Sequence, residues 1–144
     1  MKRLEVARIR VCERCGRGGA ELRTSDGEQL VVPLDAIRAR QLAATDHPAE
    51  VRSLTELMLA SFAMTDVVVG EVVLDVSDGR LGALVSLDGG EHPEVVACTA
   101  EEGVALVVRS GVKMYVTDEA LAHGSTRSPK SAPSGGAGGS ETVH

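Results

Sequence analysis

Apolar and polar residues alternate through most of the first third of the chain, which is typical of β-strands with one buried face. The alternation begins over Leu4–Val11, is interrupted by the glycine-rich segment 12–19, and resumes up to Thr24. Residues 4–24 therefore predict a β-hairpin. Asp26-Gly27 is a frequent pair in tight turns, and a short strand is predicted after it over Gln29–Leu34.

The middle of the chain changes to the spacing of amphipathic helices. Asp35 predicts the N-cap of a helix over 36–44, and Ser53 predicts the N-cap of a second helix. In the second helix, large apolar residues stand three, four and eight positions after the first one, so they predict a single buried face. These residues are Leu54, Leu57, Met58 and Phe62.

Strands dominate again in the second half. The β-branched run Val67–Val76 gives the clearest strand of the chain, and Asp78-Gly79 predicts a hairpin turn into a returning strand over Leu81–Leu87. Thr99 predicts the cap of another helix, and Gly111 predicts its end. The remaining predicted elements are a strand over 94–98, a helix over 100–110, a strand over 112–116 and a short helical end over 118–123.

The predicted order is β-β-β-α-α-β-β-β-α-β, in which hairpins imply antiparallel neighbours. We therefore expect an α+β domain with a mixed, largely antiparallel sheet and about three helices packed on it. Residues 1–123 form the predicted domain. Residues 124–144 contain five Gly, five Ser and two Pro, a composition that predicts a disordered tail.

Composition and charge narrow the classes of function. Aromatic residues make up 1% of the chain, so an aromatic platform for stacking nucleic-acid bases is excluded. Residues 1–23 carry seven Lys or Arg against three Glu, whereas residues 24–123 carry six against seventeen acidic residues, a net −11. Such a body repels polyphosphates unless metal ions or a local basic face intervene. No signal peptide or apolar bilayer-spanning run is recognisable, so we expect a cytoplasmic protein without membrane contact.

Several segments also match a known pattern in their order and spacing. They are Asp26-Gly27-Glu28, Val31–Leu34, Arg52–Thr55, Val72–Gly79, Gly103–Gly111 and Met114–Val116. Together with the opening strand Leu4–Val11, they resemble the bifunctional nuclease domain family of bacteria and plants over about four-fifths of the chain. The resemblance implies an α+β fold, a homo-oligomer (a dimer or a higher assembly) and, for some members, metal-dependent nuclease activity on DNA and RNA.

The chain departs from the family pattern at several polar positions. Glu56 stands where the family has His, Leu57 stands where it has Asp, and Arg38 aligns with a family Glu. Two functions follow from the resemblance. One is a nuclease that hydrolyses DNA or RNA phosphodiesters, and the alternative is a catalytically inactive, oligomeric regulatory or protein-interaction module of the same fold.

Four carboxylates lie in or beside the segments that resemble the family and are the candidate catalytic residues: Glu56, Asp75, Asp78 and Glu102. Converging carboxylates could hold Mg²⁺ or Mn²⁺ and activate water. Each also has a structural explanation. Glu56 and Glu102 fit capping boxes, Asp78 fits a hairpin turn, and Asp75 fits a solvent-facing strand position. Arg52 and Arg109, in the same segments, are the candidate substrate-binding residues.

The pair Cys12-x-x-Cys15 is the sharpest local motif. Two thiolates at this spacing are half of a structural zinc site, which needs four ligands. Cys98, a histidine or a second subunit would have to complete it. The alternatives are a redox dithiol and two ordinary cysteines at a hairpin tip.

Overall fold

The computed structural model describes residues 1–44 and 53–124, which contain seven strands and four helices. The strands are β1 (Lys2–Cys12), β2 (Arg17–Thr24), β3 (Gln29–Asp35), β4 (Val68–Ser77), β5 (Arg80–Asp88), β6 (Glu94–Thr99) and β7 (Lys113–Val116). The helices are α1 (Ala36–Ala43), α2 (Leu54–Met64), α3 (Ala100–Ser110) and α4 (Asp118–Gly124). The element order is the one predicted from the sequence, with the helical end over 118–123 forming α4.

All seven strands form one sheet in the order β3-β2-β1-β7-β4-β5-β6. Every neighbouring pair is antiparallel except β4 and β7, which run parallel. The predicted α+β class with a mixed, largely antiparallel sheet is therefore confirmed. Strand β7 lies in the middle of the sheet and joins the N-terminal hairpin to the β4–β5 hairpin.

Local capping rules explain where the helices begin and end. The Asp35 side chain accepts the backbone N–H of Arg38 at 2.8 Å, and the Ser53 and Thr99 hydroxyls cap α2 and α3 in the same way. Gly111 ends α3 in the left-handed conformation, at φ 71°. These four predicted caps are all present.

The apolar core lies between the sheet and the helices α1, α3 and α4. Leu22, Leu30, Leu74 and Met114 are its largest fully buried side chains. Helix α3 comes close to the sheet at Gly103, where an added Cβ would lie 2.6 Å from the Cβ of Ala83. The absence of a side chain at Gly103 therefore sets how deeply α3 sits on the sheet.

The predicted buried face of α2 is wrong. Leu54 is 68% exposed, Leu57 is 51% exposed and Met58 is also exposed, whereas Thr55 is buried. Only Phe62 of the four predicted residues packs against the core. The reason is that the main packing partner of α2 is α3 rather than the sheet, so only a narrow strip of its surface is covered.

Some sequence-based predictions fall outside the described residues. They concern the substrate-binding role of Arg52 and the disordered tail, of which only Gly124 is described, as the last residue of α4. Within the described part of the chain, no helix combines the length and the apolar character that a bilayer crossing requires.

Candidate functional site

Two arginines link α3 to the neighbouring helices. Arg38 of α1 lies 2.5 Å from Glu102 and 3.8 Å from Glu101 at the start of α3. Arg109, near the end of α3, lies 3.3 Å from Glu56 of α2 and donates to the backbone carbonyl of Gln41 in α1. The side chains of Arg38 and Arg109 are only 13% and 15% exposed. Helix α3 therefore carries a charged contact at each end.

The contact at the start of α3 borders an open pocket of about 620 Å³. Three carboxylates and two arginines line it together with Gly16, Ala36, Ile37 and Gln41. The charged residues are Asp35, Arg38, Arg40, Glu101 and Glu102. We define these five residues and the space they enclose as the α1–α3 pocket.

The carboxylates of this pocket engage the guanidinium of Arg38. Its Nε and Nη2 atoms are buried and lie at ion-pair distance from Glu101 and Glu102. A guanidinium group presents its donors in a rigid fork that matches the oxygens of phosphate. Because Arg38 faces these two carboxylates, the exposed Arg40 is the guanidinium of the pocket that an anionic group can reach.

Glu101 is the titratable group of the pocket whose ionisation is most affected by its surroundings. Burial raises the pKa of its carboxyl, and the nearby Asp35 and Glu102 carboxylates raise that pKa further. Arg38 acts in the opposite direction and lowers the pKa, but the net shift is upward. Asp35 and Glu101 line the same pocket, and the nearby Asp35 carboxyl favours the protonated form of Glu101. A carboxyl with a raised pKa can act as a general acid or base at a pH nearer to neutrality than an ordinary glutamate carboxyl can.

Of the four predicted catalytic carboxylates, Glu102 alone lines the α1–α3 pocket. Glu56 is at the other end of α3, where it completes the capping box with Ser53 and faces Arg109. Its structural explanation is thus confirmed.

The other two predicted carboxylates belong to β4 and its turn. Asp75 accepts the hydroxyl of Thr117 at 2.8 Å and is half-buried, so its interpretation as a solvent-facing residue is wrong. Asp78 has a φ of 51° in the turn between β4 and β5, as the hairpin interpretation predicted. Asp75 binds the residue that caps α4, since the amide of Ala120 donates to Thr117.

The fit of a divalent cation can be judged from these donors. Within residues 1–44 and 53–124, no three His, Cys, Asp or Glu side chains are grouped closely enough to hold a metal ion. In the α1–α3 pocket, the guanidinium of Arg38 occupies the position beside Glu102 that a cation would take. The arrangement fits Mg²⁺ or Mn²⁺ poorly, so no chemical step below depends on either ion.

Cys12 and Cys15 lie close together at the tip of the β1–β2 hairpin, and both are exposed. The Cys15 thiol lies within reach of Cys12 and donates to its backbone carbonyl. Hydrogen bonding from the Cys15 side chain, and then from its backbone, lowers the pKa of the Cys12 thiol. Cys98 lies on β6, and three strands separate β6 from β1 in the sheet. Cys98 is therefore badly placed to complete a zinc site with the pair in one chain, and zinc at Cys12 and Cys15 stays a prediction that needs further ligands.

Sequence reasoning missed the role of Asp35 and Arg38 in the pocket. Asp35 was explained by its capping role, which it does fulfil, and Arg38 stood out only as a departure from the family pattern. A charged residue three positions after a helix cap predicts an exposed helical face, and nothing local indicates that α3 packs beside it. The pocket arises from the contact of two helices, of which α1 ends at Ala43 and α3 begins only at Ala100.

Comparison with known proteins found no family model that matches the chain and no significant match among curated proteins.

Proposed function

We propose that the domain is a phosphodiester hydrolase that acts on DNA or RNA, with the α1–α3 pocket as its catalytic site. The observation that carries the proposal is the presence, in one pocket, of the exposed Arg40 and of Glu101, whose carboxyl has a raised pKa. These are the two chemical parts that phosphodiester hydrolysis needs without a cofactor. One neutralises the phosphate, and the other transfers the proton.

The proposed step follows from the charges of the pocket. Arg40 binds the non-bridging oxygens of a phosphodiester, and water attacks phosphorus. The new P–O bond forms as the ester P–O bond breaks. Protonated Glu101 donates its proton to the leaving oxygen, and the neighbouring Asp35 carboxylate accepts the proton from water. Protonation of Glu101 leaves two carboxylates against two arginines in the pocket, so the site is neutral on a body with net charge −11.

The test is hydrolysis of bis(p-nitrophenyl) phosphate and of end-labelled DNA and RNA oligonucleotides, with EDTA or with added Mg²⁺ or Mn²⁺. Glu101→Gln keeps the shape of the side chain and removes its acid–base function, so we expect a loss of about 10²-fold or more in kcat. Arg40→Gln should mainly raise KM, because Arg40 is the exposed arginine of the pocket. Glu119→Gln is the matched control because Glu119 is also in the first turn of a helix, α4, and is exposed.

The proposal fails if the purified protein cleaves none of these substrates under any of these conditions. It also fails if Glu101→Gln and Glu119→Gln retain the same activity. Activity that requires Mg²⁺ or Mn²⁺ and is abolished by EDTA would instead restore the metal-dependent mechanism that the family resemblance implies.

A second candidate function is a protein-interaction or regulatory module without catalysis. The observation that favours it is the exposed apolar surface of α2, where Leu54, Leu57 and Met64 all face solvent. Large exposed apolar side chains grouped on one element are typical of interaction surfaces. Leu54→Ser together with Leu57→Ser should then abolish binding of a partner while leaving the fold and any phosphodiesterase activity unchanged.

A further inference from the structure

The sheet has two edges, and they differ in character. In the order β3-β2-β1-β7-β4-β5-β6, β3 and β6 are the outer strands. Within residues 1–44 and 53–124, β6 pairs only with β5, over all six residues from Glu94 to Thr99. An antiparallel edge strand directs every second backbone N–H and C=O away from its neighbour. One side of β6 is therefore a row of available hydrogen-bonding groups.

Beyond Glu94 at its first position, the side chains of β6 do not protect this edge. Val95 is 67% exposed, Val96 is 44% exposed, and no Pro or charged residue lies between Glu94 and Thr99. Soluble proteins commonly protect an edge strand with Pro, inward-pointing charges or a covering element. An unprotected apolar edge of this kind is a template for the addition of another strand.

The β3 edge differs from the β6 edge in two respects. Pro33 within β3 has no N–H to donate, and α4 contacts β3 in addition to α3, which contacts both outer strands. A chain in which β6 bound β3 of the next copy would build an open filament, but β3 is a poor acceptor strand. The β6 edge is therefore left with strands like itself as its best partners.

We propose that β6 pairs antiparallel with β6 of a second copy of this chain, about a twofold axis perpendicular to the sheet. Residues directly opposite each other in such a pair are on the same face, so the register is centred on Val96 or on Ala97. In both registers Glu94 of one chain lies away from Glu94 of the other, which avoids a like-charge contact. The result is one continuous sheet of fourteen strands, seven from each copy.

The contact closes on itself, because each copy offers the same strand and uses it once. It gives the homo-oligomer implied by the family resemblance a specific interface. It does not depend on hydrolysis at the α1–α3 pocket, since none of the pocket residues belongs to β6. Failure of the hydrolase proposal and failure of the dimer proposal are therefore observed separately.

The first test is the mass of the full chain in solution, measured by light scattering at tens of micromolar. We expect twice 15.0 kDa for the parent. Val96 pairs with the buried Val85 and is on the core side of β6, so Val96→Lys places an inward-pointing charge on the edge. We expect this variant to have the mass of one chain. Val31→Lys is the matched control, because Val31 is 40% exposed on the opposite edge strand, and it should remain a dimer.

A parent with the mass of one chain would overturn the proposal, as would a dimer that survives Val96→Lys or dissociates equally with Val31→Lys. Circular dichroism and the melting temperature establish whether Val96→Lys is folded. A parent monomer whose outward β6 amides resist hydrogen exchange would show that another part of the same chain covers the edge, which also contradicts the proposal.

A second experiment does not require the fold to tolerate the charge introduced by Val96→Lys. The background for this experiment has Cys12, Cys15 and Cys98 replaced by Ser. In it, either Val96→Cys or Ala97→Cys places a thiol directly opposite the same thiol of the second chain. Oxidation by copper phenanthroline and oxygen joins the two thiols as a disulfide and releases two protons and two electrons to the oxidant. We expect a covalent dimer from one of these variants and none from Val31→Cys. No cross-link from either β6 variant, or equal cross-linking through Val31→Cys, would refute the pairing.

Discussion

Arg38 and Arg109 are long cationic side chains that the fold largely covers, with exposed fractions of 13% and 15%. A covered guanidinium is tolerated because carboxylates face it, and removing one partner of such a pair costs about 3–5 kcal/mol when the remaining charge stays buried. Glu56 and Glu102 are therefore important for stability as well as for any chemistry. At this scale a carboxylate that faces an arginine cannot be assigned to catalysis from its residue type alone.

Thr55 gives a prediction about stability. Its side chain is only 2% exposed, and its hydroxyl has no hydrogen-bond partner among the described residues. An unsatisfied buried hydroxyl is costly, and Val has nearly the same shape without it. We expect Thr55→Val to raise the free energy of unfolding by about 1 kcal/mol, measured by urea denaturation. Thr65→Val is the contrasting variant, since the exposed Thr65 hydroxyl donates to the carbonyls of Ser61 and Phe62 and its loss should not stabilise the fold. A loss of stability in Thr55→Val would mean that the Thr55 hydroxyl is bonded.

The thiols differ in their predicted reactivity. The hydrogen bond from Cys15 lowers the pKa of Cys12, whereas burial and the nearby Glu102 raise the pKa of the half-buried Cys98. Because the thiolate is the reactive form, we expect iodoacetamide to modify Cys12 faster than Cys98 at neutral pH. Mass spectrometry of the labelled peptides measures both rates. Cys15→Ala should slow the modification of Cys12 because it removes the side-chain donor, and equal rates at Cys12 and Cys98 would contradict the assignment.

At the scale of elements, α2 and α3 show how packing overrides an apolar pattern. Both helices are 11 residues long and both carry large apolar residues. Helix α3 lies on the sheet and buries Val104, Ala105 and Leu106, whereas α2 lies beside α3 and leaves Leu54 and Leu57 exposed. The stability of α2 therefore depends on its capping box and on Leu59 and Phe62, which contact the core.

A leucine in each helix tests this difference. Leu106 is 4% exposed and Leu57 is 51% exposed. We expect Leu106→Ala to lower the free energy of unfolding by about 3 kcal/mol and Leu57→Ala to lower it by less than about 1 kcal/mol. Urea denaturation of the two variants under the same conditions is the measurement. Comparable losses would mean that α2 buries Leu57 in solution, as expected if a partner or a second copy covers it.

At the scale of the whole molecule, charge couples stability to pH. The pKa of Glu101 is raised above its ordinary value of 4.5 in the folded protein. Between pH 4.5 and the raised pKa, the folded protein binds more protons at this residue than the unfolded chain does. The contribution of Glu101 to the free energy of unfolding therefore falls as pH rises through this window.

Glu101→Gln should remove that contribution. We expect the free energy of unfolding of the variant to decline less than that of the parent between pH 4.5 and neutral pH. Urea denaturation at several pH values measures the difference, with Glu119→Gln as the control. Identical pH profiles for parent and Glu101→Gln would mean that Glu101 ionises normally, and the acid–base role proposed for it would lose its basis.

The sequence by itself determined the elements and their ends, because these depend on neighbours a few residues away. Alternation predicted the strands, Asp35, Ser53, Thr99 and Gly111 predicted the caps, and hairpin turns predicted the antiparallel pairs. The fold class followed from that order. The paired carboxylate Glu56 was likewise explained by its local capping box.

Tertiary structure alone decided which surfaces are covered and which charged groups meet. The apolar spacing of α2 is the same whether the helix lies on a sheet or beside another helix, so it did not reveal that Leu54 and Leu57 are exposed. Arg38 and Glu101 are brought together only when α1 and α3 pack on the same sheet. Burial and the meeting of charges distant in sequence depend on the three-dimensional arrangement of whole elements, and periods of two or 3.6 residues carry no information about that arrangement.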